Sequence, residues 1–275
     1  MILSDVGDTA ADGLDVTMYV AGFPCQPYSR EGRNRGWRDA RGGPLFQHML
    51  RRLSSLRSSL ECLLLENVES LAQSSHILTL TMMIEKLQQT LPDFMFQWKS
   101  LDSKDWGVPQ SRRRLYIIGL RKTRVVRAFT WPDAADKCRV TLTTKFGCPS
   151  KILTHAEMEA KKQLLCSTAQ RNLTAAIADL EARGVNYRRE CCAVDIDTGR
   201  HCNRLWTRGF ARTLTRARGS SGGPWLSTFW RRTTMAELGM LQGLSVTGYD
   251  LSGISQRQLG GMKLCYAYAA MLVLF

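Results

Sequence analysis

The chain has 275 residues and a mass of 31.0 kDa, which suits one large domain or one domain with a smaller partner. Apolar residues make up 44% and charged residues 23%, which excludes a disordered or collagen-like chain. Thirty-eight Lys and Arg against 24 Asp and Glu leave a net charge of +14, a balance that favours a polyanionic partner, nucleic acid before an anionic membrane surface. In chain order, Val16–Phe23 (VTMYVAGF) is β-rich and runs into Pro24. Leu45, Phe46, Met49, Leu50, Leu53 and Leu56 recur at helical spacing, and Glu61–Leu65 reads as a short apolar strand. Ile77, Leu80, Ile84, Leu87 and Leu91 predict a second helix, and Phe94–Leu101 and Leu115–Leu120 predict two more strands. This alternation predicts a parallel sheet with helices on its faces, with catalytic and ligand groups gathered at the carboxyl ends of its strands. From about Val125 to Leu226 the periodicity weakens around one predicted helical stretch, Glu157–Arg183. Thr234-Met-Ala-Glu237 predicts a capping-box start for a helix carrying Leu238, Leu241 and Leu244, and a last helix is predicted from Gln256 onward.

The charge is unevenly placed. Residues 1–120 hold 14 basic and 13 acidic groups, residues 121–225 hold 20 and 9, and residues 226–275 hold 4 and 2. A near-neutral body with one basic segment suggests an enzyme carrying a polyanion-binding attachment. The nine cysteines form no CxxC pair and no regular spacing, and the four histidines (His48, His76, His155, His201) are scattered. With no signal-peptide pattern, a reducing compartment, no secretion and no structural metal are expected. The apolar run Leu264–Phe275 has twelve residues, too short to span a bilayer, so a buried helix and no membrane partner are expected.

Three short motifs fall at predicted strand ends. Gly22–Ser29 (GFPCQPYS) puts Cys25 directly after a strand and a proline, where a thiol is either exposed and reactive or buried as a cap on the sheet. Glu66–Val68 (ENV) follows the next strand in the same manner, and Gln110–Arg114 (QSRRR) precedes the strand LYIIGL. Each alone has a bland reading: a capping carboxylate, a basic surface loop. Together they supply a thiolate for covalent attack, a carboxyl able to protonate a ring nitrogen, and fixed cations for a carbonyl oxygen.

PCQ, ENV and QxRxR in this order and at these spacings resemble the DNA (cytosine-5) methyltransferase family. Ser4–Val6 (SDV) resembles the family's contact to the cofactor adenine, GWRDARGGPLF (Gly36–Phe46) its mobile catalytic loop, and Thr213-Leu214 the pair that meets the DNA backbone in its recognition domain. MAELGMLQGL and QLGGMKL resemble its two closing motifs. The resemblance implies an α/β fold: a Rossmann-like S-adenosylmethionine-dependent methyltransferase sheet, incomplete at its amino end, with a smaller mixed target-recognition domain. It implies a catalytic domain over residues 1–124, a basic recognition domain over 125–226 and a return to the catalytic domain over 227–275. Cys25 would add to carbon 6 of a flipped cytosine in double-stranded DNA, and Glu66 would hold the exocyclic amine and protonate nitrogen 3. Arg114 would hold the base carbonyl, and Arg112 would serve the same pocket or a phosphate. Asp5, Val6, Pro24 and Leu45 are the expected cofactor contacts; Ser29, Arg41, Gln110, Arg212, Thr213, Arg216 and Arg218 are the expected DNA contacts.

Two departures from the family pattern qualify this expectation. The Gly-rich FxGxG strand–turn–helix and the acidic residue that follows it are missing, and Gly260-Gly261-Met262 stands where the family has Gly-Asn-Ser. An incomplete S-adenosylmethionine pocket is therefore expected, in a fragment, in half of a split enzyme that pairs with a separate amino-terminal half, or in a degenerate paralogue. The alternative function is that of a catalytically inactive DNA-binding relative; the tRNA-methylating branch is ranked last, because its Cys-Phe-Thr tripeptide is absent. The expected location is the nucleus in a eukaryote and the cytoplasm or nucleoid otherwise.

Overall fold

The structure, a computed structural model, describes residues 15–23, 42–131, 139–199, 205–215 and 221–244. The chain divides into two compact units, Met1–Leu101 with Arg113–Trp131, and Asp102–Arg112 with Pro132–Phe275.

The first unit is built on strands β1 (Met18–Gly22), β2 (Cys62–Val68), β3 (Phe94–Asp102) and β5 (Arg113–Arg121), in the order β1-β2-β5-β3. Helices α1 (Gly42–Ser55) and α2 (Ile77–Thr90) separate the first three strands in sequence. Pro44 is tolerated in the first turn of α1, where its missing N–H has no helical partner to lose. In β2 and β5 side chains alternate between faces. Leu63, Leu65, Leu115 and Ile117 accordingly pack with Phe46, Met49 and Leu53 of α1 and Leu80, Met83 and Leu87 of α2 in one core.

The expected parallel sheet is corrected in one respect. β1 and β2 are parallel, but β5 runs antiparallel to β2, pairing Glu66 with Tyr116 and Val68 with Arg114. The reason lies in the connection: the ten residues between β3 and β5 contain no crossover helix, and a parallel return needs a dozen or more residues. The amino end of β5 therefore shares a sheet edge with the carboxyl ends of β1 and β2.

In the second unit, helices α3 (Leu142–Phe146), α4 (His155–Gln163), α5 (Ser167–Ala182) and α6 (Met235–Leu241) accompany short strands. Strands β6 (Cys192–Val194), β7 (Trp206–Arg208), β9 (Trp225–Leu226) and β10 (Arg231–Arg232) form a sheet in the order β10-β9-β6-β7, and β4 (Gln110–Ser111) pairs in parallel with β8 (Ala211–Arg212). Cys192 and Val194 of β6 face a core with Leu173 and Leu180 of α5, Trp225 and Trp230; Cys191 and Ala193 face a second core with Leu142, Leu226 and Leu238. The single helical stretch expected over Glu157–Arg183 is two helices. The Gln170 amide donates to the carbonyls of Gln163 and Leu165, at 3.2 and 2.8 Å, and so satisfies end groups that a continuing helix would have used. The capping box at Thr234 is present, with Glu237 N–H donating to the Thr234 hydroxyl and Thr234 N–H to the Glu237 carboxylate. The predicted helices from Gln256 and over Leu264–Phe275 lie outside the described residues, as does Gly260–Met262.

Candidate active site

Glu66 lies near the carboxyl end of β2, opposite Gly22 of β1 and Tyr116 of β5. Its Oε1 is 2.8 Å from Arg114 Nε, with side-chain exposures of 23% and 15%. Most of this ion pair is therefore out of water, where a charge needs a partner. A second bond steadies the arginine: its Nη1 donates to the Arg113 carbonyl at 2.7 Å. The carboxylate lies over Gly22, and a Cβ added there would stand 3.2 Å from Glu66 Oε2. The glycine thus leaves room for the carboxylate at the strand end.

Asn67 is a residue of the ENV motif to which sequence reading assigned no role. Buried within the sheet, it donates from Nδ2 to the Phe23 carbonyl at 3.4 Å and accepts the Val68 N–H at 2.8 Å. It ties the end of β1, just before Pro24 and Cys25, to the strand that carries Glu66. Phe23 is buried as well, its ring 6.0 Å from that of Phe46. Arg113, between the two motif arginines, is exposed and 3.4 Å from Glu69.

The expected site residues divide into three groups. Glu66 and Arg114 are brought together in the first unit, and Leu45 is half-buried at the start of α1. Arg112, Gln110, Arg212 and Thr213 belong to the second unit. Cys25, Asp5, Val6, Pro24, Ser29, Arg41, Arg216 and Arg218 lie outside the described residues. Gln110 is fully buried in β4, paired with Ala211. Thr213 donates its hydroxyl to the Ser111 carbonyl at 2.9 Å, so the residue expected at the DNA backbone is bonded to the QSRRR segment. Arg212 and Thr213 help line a small cavity of about 40 Å³ with Asp195, Thr207 and Leu214.

The basic character of the second unit is partly neutralised from within. Arg208 pairs with Glu190, Arg183 with Asp179, Arg231 with Glu237 and Arg232 with Asp197. Burial raises the Cys191 thiol, and the Cys192 thiol is pushed up to about 12 by burial and then by Cys191 and Glu190 nearby. Neither is a ready nucleophile, since the thiolate is the reactive form.

For S-adenosylmethionine the described residues provide a partial fit. The parallel ends of β1 and β2 are the place where such sheets bind ligands, and Leu45, an expected cofactor contact, is half-buried at the start of α1. Glu66 at that edge is engaged by Arg114, and Asp5, the expected acidic cofactor contact, lies outside the described residues. Among those residues, no group of three or more His, Cys, Asp or Glu could hold a metal ion. None of their helices is long and apolar enough to cross a membrane.

The chain thus carries a carboxylate–guanidinium pair at the sheet edge of its first unit, on the ENV and QxRxR motifs. The model of the C-5 cytosine-specific DNA methylase family matches residues 2–209, and the chain belongs to that family. Among curated relatives it is 34% identical over 119 residues to the type II methyltransferase M.HpaII of Haemophilus parainfluenzae, a match that covers 42% of this chain and 32% of the relative. It is 32% identical over 149 residues to the type II methyltransferase M.DsaV of Dactylococcopsis salina, covering 54% of this chain and 40% of the relative. The matches thus span less than half the length of these relatives. The solved structure of the Entamoeba histolytica methyltransferase EhMeth shares the fold, with a TM-score of 0.55 at 15% identity over 99% of this chain and 82% of the other.

Proposed function

We propose that the chain is the catalytic and recognition portion of a DNA cytosine-5 methyltransferase, acting on a cytosine flipped out of duplex DNA. The observation that carries this reading is the Glu66–Arg114 pair, 2.8 Å apart at the shared edge of β1, β2 and β5. Residues 1–124 are assigned to catalysis, the basic residues 125–226 to target recognition and 227–275 to the return into the catalytic domain. S-adenosylmethionine, when bound, supplies the methyl group.

The chain's own residues do the rest. Inside the stack carbon 5 cannot be reached, and carbon 5 of a free cytosine is a poor nucleophile. The Cys25 thiolate adds to carbon 6, and the displaced electron pair makes carbon 5 enamine-like while nitrogen 3 takes a proton from Glu66. Arg114 holds the base carbonyl and pairs with the carboxylate that Glu66 becomes once its acid form has passed its proton to nitrogen 3. After carbon 5 has gained its methyl group it gives up its proton to water. The electron pair left behind restores the ring double bond and expels the Cys25 thiolate, and the nitrogen 3 proton returns to Glu66. Asn67 fixes the strand end that precedes Cys25.

The test is tritium transfer from labelled S-adenosylmethionine to duplex DNA. It is run with the chain alone and with a separately expressed amino-terminal half carrying the Gly-rich turn. Cys25→Ser is expected to abolish transfer and covalent trapping on 5-fluorocytosine DNA. Glu66→Gln is expected to slow transfer by about 10²-fold or more while leaving duplex affinity nearly intact, because proton transfer acts in the transition state. Trapping retained by Cys25→Ser would overturn the assignment of the nucleophile. No transfer in either format, with duplex binding intact, would establish the inactive DNA-binding alternative.

A further inference from the structure

Among the groups that hold the backbone of the QSRRR segment, Asp102 and Ser103 are given no role by the family resemblance or by the chemistry above. Asp102, the last residue of β3, has a side chain only 6% exposed. Its Oδ1 accepts the Arg112 N–H at 2.9 Å and the Lys104 N–H at 3.3 Å, and its Oδ2 accepts the Ser111 hydroxyl at 2.9 Å. Lys104 Nζ stands 3.7 Å from Oδ2 and 2.9 Å from Asp105. Ser103 adds two bonds, its hydroxyl donating to the Gln110 carbonyl at 2.6 Å and its N–H to the Arg112 carbonyl at 3.3 Å. From β8 and the residue after it come two more: Ala211 N–H donates to the Pro109 carbonyl at 2.8 Å, and the Thr213 hydroxyl to the Ser111 carbonyl. Between the two sides the chain reverses at Gly107, whose φ of 80° is left-handed and favours glycine.

A buried carboxylate is costly unless donors satisfy it. Two of the donors to Asp102 belong to Ser111 and Arg112, nine and ten residues further along the chain. No regular ladder needs such a group, and the four remaining bonds onto residues 109–112 converge on the same short segment.

We infer that Asp102 is a positioning residue: with Ser103 on its own side and Thr213 opposite, it fixes the Gln110–Arg112 backbone so that the Arg112 side chain departs from one defined point before DNA arrives. A segment ordered in advance loses less entropy on binding. The inference rests on the reading that Arg112 meets the target base or a DNA phosphate.

The test uses the full chain and its variants Asp102→Ala, Asp102→Asn and Ser103→Ala. Amide hydrogen exchange is followed by mass spectrometry, and duplex DNA affinity is measured at equal active fraction. Asn retains a carbonyl acceptor for the Arg112 N–H, and its amide can donate to the Ser111 hydroxyl. Asp102→Ala is expected to speed exchange over residues 110–113 by about tenfold while residues 62–68 stay protected, and to weaken duplex binding by about tenfold. Ser103→Ala is expected to act in the same direction at about threefold, and Asp102→Asn to remain near wild type in both measurements. Unchanged exchange in Asp102→Ala overturns the inference. So does a loosened segment with unchanged duplex affinity, or an Asn variant as damaged as the Ala variant. If the wild-type chain binds no duplex, the methyltransferase reading fails by itself, and exchange alone decides whether Asp102 fixes the segment.

Discussion

Removing Arg114 tests whether Glu66 is held as the site requires. The pair is 2.8 Å apart with side-chain exposures of 15% and 23%, between the fully exposed pairs worth about 0–1 kcal/mol and the buried pairs whose breaking costs about 3–5 kcal/mol. A charge-assisted hydrogen bond contributes about 1.5–3 kcal/mol; discounting for the water that reaches both groups, Arg114→Ala is expected to cost about 2 kcal/mol. Glu66→Gln keeps an acceptor for the guanidinium and is expected to cost about 1 kcal/mol. In a double-mutant cycle with Arg114→Ala, the coupling should be about 1 kcal/mol, well above the few tenths expected of independent sites. The assay is native-state hydrogen exchange of the β2–β5 ladder under graded urea, which reports the first unit by itself. A coupling below about 0.3 kcal/mol would refute the reasoning: the pair would then be a solvated surface contact, and Arg114 could not be said to hold the Glu66 carboxylate.

Iodoacetamide should label Cys148 and Cys166, which are exposed, and leave Cys191 and Cys192 unmodified in the native chain, because both are buried and their thiols are held in the protonated form; mass mapping of native and urea-unfolded samples decides this. Burial pushes the Glu237 carboxyl up, but the Arg231 guanidinium and the Thr234 N–H and hydroxyl outweigh it and leave it below its ordinary value of 4.5. Its contribution to stability is therefore complete above about pH 4.5 and lost as pH falls through the lower folded value, so Glu237→Gln should lower stability at pH 7 and flatten the acid limb of a denaturation series. Duplex affinity should fall with salt, with a slope of about −0.9 per neutralised phosphate. Replacing Arg212, Arg216 and Arg218 by Ala should reduce that slope more than replacing Arg51 and Arg57 does; an equal loss in both variants would remove the basic segment from the DNA-binding surface. Arg52 is left out of the control because it is buried.

Much of the first unit is legible in the sequence because its elements are long enough to repeat a pattern. The leucines at 63 and 65 in β2, and the stripes on α1 and α2, declare their buried faces. Strand direction leaves no such trace: LYIIGL reads the same in a parallel or an antiparallel strand, and only the short β3–β5 connection decides it. The strands β6 to β10 have two or three residues each, too few for an alternation to be seen. The break between α4 and α5 has no Gly or Pro to mark it; it depends on a side chain, Gln170, that reaches back to Gln163 and Leu165. The ENV and QxRxR motifs draw attention to Glu66 and Arg114, and the antiparallel register explains why residues 48 apart in sequence meet. Asp102 is not legible in the sequence, because it bonds to residues nine and ten positions away, which no periodicity records.

The segment Asp102–Arg112 belongs to the second unit, although in sequence it stands between β3 and β5 of the first. The second unit therefore cannot be exchanged between relatives as one continuous stretch. A chimaera that replaced only the residues after Trp131 would give β8 a foreign β4, and the bonds from Ala211 to Pro109 and from Thr213 to Ser111 would have to form across unmatched sequences. The smallest exchangeable module is bipartite, and its shorter part of eleven residues, Asp102–Arg112, takes Arg112 of the QSRRR motif with it.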